Sequence, residues 1–269
     1  MHFLTRPWAF CMIAAASCVF AAIPAWAQDA AASGEDDEHT IEVTPYTGPP
    51  IFLDEPEPQP DATFVSKRVD SEKYPDGKIR YEREIALYSD NRLVPEGFYR
   101  EFYPNGQKFA EGQYVKGRQD GEWTYWHENG TVARKVTYRD GLPDGVWDVI
   151  RADGTLSAKR SYKAGKRDGT WIIYDETGQQ PLREEQYADG LADGVWKVWF
   201  PNGQLRTQMT FKQGNRHGPA SEWDEKGGQR ATITYIDGLV DGEATLWTPD
   251  GKKIVQHYDK GKLVSQEEE

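Results

Sequence analysis

Trp126, Trp199, Trp223 and Trp247 are the residues of this chain whose type and spacing most clearly suggest a chemistry, each standing five positions after a recurrent glycine. Indoles in a row can stack on sugar rings or peptide groups, and a row of exposed aromatics marks a binding surface. The same glycines often follow an acid, in Asp120-Gly121, Asp144-Gly145, Asp168-Gly169, Asp193-Gly194 and Asp241-Gly242. Stacked carboxylates could hold calcium, but that ion wants about six to eight oxygens and one Asp per repeat supplies too few. Turn formation is the expected role of these pairs. His39, His127, His217 and His257 share no spacing suited to zinc or to a catalytic dyad. Neither a nucleophile elbow nor a glycine-rich phosphate loop opening a helix is present in the sequence. The chain therefore reads as non-enzymatic, with no metal site and no cofactor.

The glycines themselves reveal what must position the tryptophans. Gly97, Gly121, Gly145, Gly169, Gly194, Gly218 and Gly242 recur every 24 residues, with one step of 25. Self-similarity at this spacing marks a stacked array in which each unit touches only its neighbours. Two positions after each glycine stand Tyr99, Trp123, Trp147, Trp171 and Trp196, then Ala220 and Ala244. A third column, seventeen or eighteen positions on in most units, holds Tyr114, Tyr138, Tyr162, Tyr187, Phe211, Tyr235 and Tyr258. Aromatics dominate sheet packing, so the second and third columns are expected to be core. The fifth-position column differs in parity from the second and reaches the core only through an intervening bulge or turn.

Between the columns the apolar residues alternate with period two, as in Leu205, Met209 and Phe211 against Arg206, Gln208 and Thr210. That is the pattern of a half-buried strand. Asn105-Gly106, Asn129-Gly130, Asp153-Gly154, Asn202-Gly203 and Asp250-Gly251 are hairpin signals, because a tight hairpin needs positive φ. The expected fold is all-β: about seven 24-residue hairpin units forming an extended, twisted meander sheet of about fourteen strands. A sheet that long must twist strongly or curl. Pro181 accompanies a one-residue insertion and is read as a bulge or edge irregularity, and the last unit is one residue short before Tyr258. Residues 69–96, with the turn Tyr74-Pro75-Asp76-Gly77, read as a degenerate N-terminal cap; 97–262 as the repeats; 263–269 as an acidic tail.

The ends place the array in a cell. Residues 1–27 carry Arg6, an apolar run from Ala9 to Ile23 and the small-x-small motif Ala25-Trp26-Ala27, the form of a signal peptide cleaved between Ala27 and Gln28. A lipoprotein signal at Cys18 would want a large aliphatic residue where Ala15 stands. Cys11 and Cys18 both lie in this signal, so the mature chain is expected to carry no thiol and no transmembrane segment. Residues 28–68 read as an acidic, proline-rich disordered linker, with ten acids and no Lys or Arg from Gln28 to Ala62. The net charge of −12 belongs largely to that arm; from Thr63 onward acids exceed bases by only three. No basic stripe serves nucleic acid. A periplasmic or secreted location is expected.

The string Phe102-Tyr103-Pro104-Asn105-Gly106-Gln107, followed by Glu111-Gly112, Tyr114, Lys116-Gly117, Asp120-Gly121 and Trp123, resembles the MORN-repeat variant of bacterial proteins labelled YwqK-type antitoxins. Phe200-Pro201-Asn202-Gly203-Gln204-Leu205 with Phe211, Gly214, Gly218 and Trp223 resembles it again, and the resemblance runs over 97–262. It implies arrays of β-hairpins that serve as protein-interaction or membrane-apposed modules. The expected function is an exported protein-interaction scaffold with an unidentified protein partner. The alternatives are an envelope glycan-binding module using the Trp126, Trp199, Trp223 and Trp247 row, and an antitoxin-like neutraliser of an exported toxin.

Overall fold

The computed structural model describes residues 61–269. The cleavage site at Ala27 and Gln28 and most of the linker lie outside the described residues. Among the described residues, twenty strands form one antiparallel sheet that follows chain order, from Phe64–Lys73 against Ile79–Tyr88 to Lys253–Asp259 against Lys262–Glu268. Among the described residues those first and last strands are the two edges of the sheet, and there is no helix. Twenty exceeds the expected fourteen for two reasons. A complete N-terminal hairpin and a C-terminal strand extend the array, and Asp144, Asp168 and Asp193 each split one strand in two. The first strand begins at Phe64, inside the stretch read as linker to residue 68. The acidic tail is also a strand: Lys253 and Glu269 exchange backbone hydrogen bonds of 3.0 and 2.7 Å, and Lys253 pairs with the Glu269 carboxylate at 2.9 Å.

Two kinds of turn join the strands, and they differ from the sequence reading. At Tyr103–Gln107, Gly106 alone adopts positive φ, +90°, and its N–H donates to the Tyr103 carbonyl at 2.8 Å. Asn105 contributes through its side chain, whose Oδ1 accepts the Gln107 N–H at 2.8 Å, an Asx turn. The tight two-residue turns lie at the other end of each hairpin. Lys116 and Gly117 take φ of +50° and +81° between paired Val115 and Arg118, as a type I′ turn requires. Asp140, Ala164, Asp189, Gln213, Asp237 and Lys260 repeat this left-handed position before a glycine.

The acid-glycine pairs are not turns. Gly121 sits within the strand Arg118–Trp126 at φ +73°, where Gln113 faces Asp120 but Glu111 already faces Thr124. Two extra residues on one strand make a bulge that bends it, and only glycine accepts this φ without strain. The acid holds the next tight turn in place. Glu96 accepts the Lys116 N–H at 2.6 Å, and Asp193 accepts that of Gln213 at 3.1 Å. Asp144 and Asp168 make the same bond, longer, to Ala164 and Asp189. Where His217 replaces the acid, its Nδ1 faces the carboxylate of the turn residue Asp237, 3.2 Å away.

A second register shift falls between the fourth and fifth positions of six units, for example between Tyr125 and Trp126, which face Arg134 and Val132. The extra residue lies on the partner strand. The seventh unit, one residue short, pairs Leu246 with Ile254 and Trp247 with Lys253 without a shift; the residue it lacks is the bulge. The insertion near Pro181 leaves the usual shift intact and lengthens the turn instead, where the Asp175 N–H reaches the Gln180 carbonyl. Pro181 opens the following strand, a place where a missing N–H costs little.

On one face the second-position and late aromatics interleave into a continuous spine from Tyr81 to Phe211. Ring centroids lie 5.7 Å apart for Tyr99–Tyr114, 5.1 Å for Tyr114–Trp123, 4.4 Å for Trp147–Tyr162 and 4.5 Å for Trp196–Phe211. Trp123 is only 1% exposed although no second layer covers it among the described residues, so the bent sheet must cover its own core. Gly112 makes room for it: a Cβ there would stand 2.2 Å from the indole. Beyond Trp196 the second position holds alanine. Ala220 and Ala244, both buried, oppose Ile233 and Gln256, which are 0% and 1% exposed.

Candidate functional site

Trp126, Trp199, Trp223 and Trp247 each occupy the last position of a strand, against the turn that follows. Because the bulge is on the partner strand, alternation along their own strand continues, and they fall on the face opposite Trp123. That face is polar. Arg100 bridges Glu82 and Glu111 at 3.2 Å each, Lys159 pairs with Asp148 at 3.1 Å, and Lys197 with Glu184 at 3.6 Å. Such pairs hold little energy individually but keep the face solvated. The four tryptophans are half-buried rather than fully exposed, as are Phe102, Ile150 and Tyr174 in the same column.

What separates the two tryptophan sets is the use of their polar and ring groups. The Nε1–H of Trp123, Trp171 and Trp196 donates to the carbonyls of Gln113, Ser161 and Gln186 at 3.1, 2.8 and 3.0 Å. Each also stacks within the spine. Trp147 stacks at 4.4 Å from Tyr162, though its buried Nε1 has no acceptor among the described residues. By contrast, Trp126, Trp199, Trp223 and Trp247 donate no indole hydrogen bond and touch no other aromatic ring among the described residues. Trp126 alone has a cation over it, with Lys108 Nζ 5.5 Å from its ring centroid, beside a shallow groove of about 310 Å³ that Gln107 and Gly130 also line.

The turn edge beside these indoles is tied together by side chains reaching to the next unit. Asn105, Asn129 and Asn202 donate to the carbonyls of Glu128, Ala152 and Glu225 at 2.9, 2.7 and 2.9 Å. Tyr103 and Arg151 reach the carbonyls of Trp126 and Tyr174 at 2.9 and 3.0 Å, and His127 bonds that of Ile150 at 2.7 Å. His127 is therefore a fastening between repeats. No group of three or more His, Cys, Asp or Glu able to hold a metal occurs among the described residues, and the strand acids already serve the tight turns.

One feature of the opposite face was missed by reasoning from the sequence. Arginines lie along the spine: Arg134 stands 4.2 Å from the Tyr125 ring centroid, Arg167 4.7 Å and Arg160 5.2 Å from that of Trp171, and Arg183 5.6 Å from that of Trp196. Here Trp147, Tyr162, Trp171 and Trp196 are half-buried, whereas Tyr99, Trp123 and Val136 before them are closed in. Tyr187 donates to Glu185 at 2.7 Å, and burial together with that carboxylate pushes its phenol up to about 12. Burial likewise raises the Tyr138 phenol. Recurrence every 24 residues hid the arginines, because they occupy several different repeat positions.

Residues 95–116, 119–140 and 192–213 match the MORN repeat variant. All three segments end on the first residue of a type I′ turn, at Lys116, Asp140 and Gln213. No curated protein matches the chain.

Proposed function

We propose that this chain, a protein built of MORN-variant repeats, is an exported, non-enzymatic scaffold that binds other proteins along its sheet. The observation that carries this reading is the central stretch of the spine. There a half-covered aromatic floor is edged by Arg160, Arg167 and Arg183, whereas the flanking units close over theirs. Aromatic and arginine side chains are the residue types that dominate protein-interaction energetics, and arginine over a ring combines a desolvated apolar face with a fixed charge. MORN repeats are generally interaction repeats, which agrees with a surface spread over several units. No helix among the described residues is long and apolar enough to cross a membrane. Export and a periplasmic or secreted location rest on the signal sequence before Gln28.

The test is capture from living cells of the protein crosslinked to its neighbours, followed by mass spectrometry, in parallel with an Arg160→Ala, Arg167→Ala, Arg183→Ala variant. A dominant protein partner whose yield falls in the variant supports the scaffold. A toxin-like partner would make it the antitoxin-like neutraliser, and recovery of envelope glycan without any enriched protein overturns it.

A further inference from the structure

We propose that Trp199, Trp223 and Trp247 form a stacking row for a neutral, β-1,4-linked glycan chain. This site lies on the opposite face from the arginine-edged spine and is independent of the scaffold reading. The three residues close the first strands of three consecutive units, so two inter-strand steps separate neighbours and place them roughly 10 Å apart. One disaccharide of an extended β-1,4-linked chain advances by about that distance, so every second ring meets an indole. A peptide in the β conformation presents the same face every two residues, about 6.6 Å, and falls out of register with the row.

The groups that a sugar needs are available. None of the three indoles stacks on another ring or donates its N–H among the described residues, which leaves an apolar face for the axial hydrogens of a pyranose and a donor for its hydroxyls. Amides stand at the same turn edge: a Cβ added at Gly203 or Gly227 would meet the Gln180 or Gln204 side chain at 3.4 and 3.3 Å. Several charges nearby are paired within the protein, Arg230 with Asp224 at 3.3 Å, Lys253 with Glu269 at 2.9 Å, and Lys252 with Glu268, while the exposed Arg206 lies 5.6 Å from the Phe200 ring centroid. An edge of indoles and amides offers the apolar faces and hydrogen-bonding groups that a neutral polyol needs. Trp126 stands apart from this row. Ile150 and Tyr174 occupy the column between it and Trp199, and Lys108 covers its ring.

The experiment is a calorimetric titration of the full chain with the β-1,4-linked hexamer of N-acetylglucosamine, with its dimer, and with the α-1,4-linked glucose hexamer, whose curved chain cannot follow a straight row. The β-linked hexamer is expected to bind, the dimer at least about tenfold more weakly, and the α-linked hexamer not measurably. Trp223→Ala, at the centre, should lose about tenfold or more, Trp223→Phe much less, and Trp126→Ala nothing. Circular dichroism of each variant verifies its folding. Equal affinity for dimer and hexamer, unchanged binding by a folded Trp223→Ala variant, or no binding by the wild type overturns the proposal. Partner capture through Arg160, Arg167 and Arg183 is read separately, so failure of one leaves the other standing.

Discussion

Replacing Trp123 and Trp223 by alanine, one at a time, separates the two tryptophan sets. Trp123 is 1% exposed, packs 5.1 Å from Tyr114 and 5.5 Å from Tyr99, and donates to the Gln113 carbonyl. Truncating a buried tryptophan costs about 3–5 kcal/mol. The orphaned carbonyl adds about 1 kcal/mol or more where water does not reach it, so the sum stands near the top of that range. Trp223 is half-buried, has no ring partner and donates nothing, so its loss returns only part of its apolar area and should cost about 1–2 kcal/mol. Urea denaturation followed by circular dichroism gives both numbers on one scale, and probe coincidence checks that the array unfolds as one unit. A gap of about 2–3 kcal/mol is expected. Equal costs, or a larger cost at Trp223, would refute the assignment of one set to the core and the other to the edge.

Gly112→Ala should destabilise by about 1–3 kcal/mol or more in the same assay, since its Cβ would press on the Trp123 indole, while Gly178→Ala must push against the backbone of Leu156. Glu101 is buried beside Tyr99, whose hydroxyl donates to it at 2.9 Å, and burial raises its carboxyl above the ordinary 4.5. The folded state therefore holds that proton more tightly than the unfolded one. Stability from this group is fully present below 4.5 and is lost as pH rises through the elevated folded value. Glu101→Gln should accordingly flatten the fall in melting temperature on going from pH 4 to neutrality. Asp193→Ala removes the acceptor of the Gln213 N–H and should cost about 1 kcal/mol, with faster hydrogen exchange at Gln213 as its local sign.

Period and parity make the hairpins, their number per unit and the two core columns legible in the sequence, because strand alternation and 24-residue recurrence are direct consequences of packing identical units. The turns were harder. Asn105-Gly106 looked like the tight turn, yet Lys116-Gly117 is, because the glycine carries the signal and its neighbour tolerates several residue types at φ near +50°. Asp-Gly reads as a turn in isolation, and only the pairing of Gln113 with Asp120 and of Glu111 with Thr124 shows it to be a bulge. The face of Trp126, Trp199, Trp223 and Trp247 hinged on which strand carries the second bulge, a property of pairing that no single strand encodes. The missing residue before Tyr258 was visible, but its meaning waited on the register of Leu246 with Ile254.

The division of labour between the two tryptophan sets is tested most directly by hydrogen exchange at the indole nitrogens, read by nuclear magnetic resonance on protein labelled with ¹⁵N-tryptophan and assigned through single Trp→Phe variants. The Nε1–H signals of Trp123, Trp171 and Trp196, held by backbone carbonyls, should exchange slowly. Those of Trp199, Trp223 and Trp247 should exchange quickly and become protected when the β-linked hexasaccharide is added. Slow exchange at Trp199 and Trp223 in the free protein would mean that these indoles are already engaged, and would contradict the claim that the row stands open for a ligand.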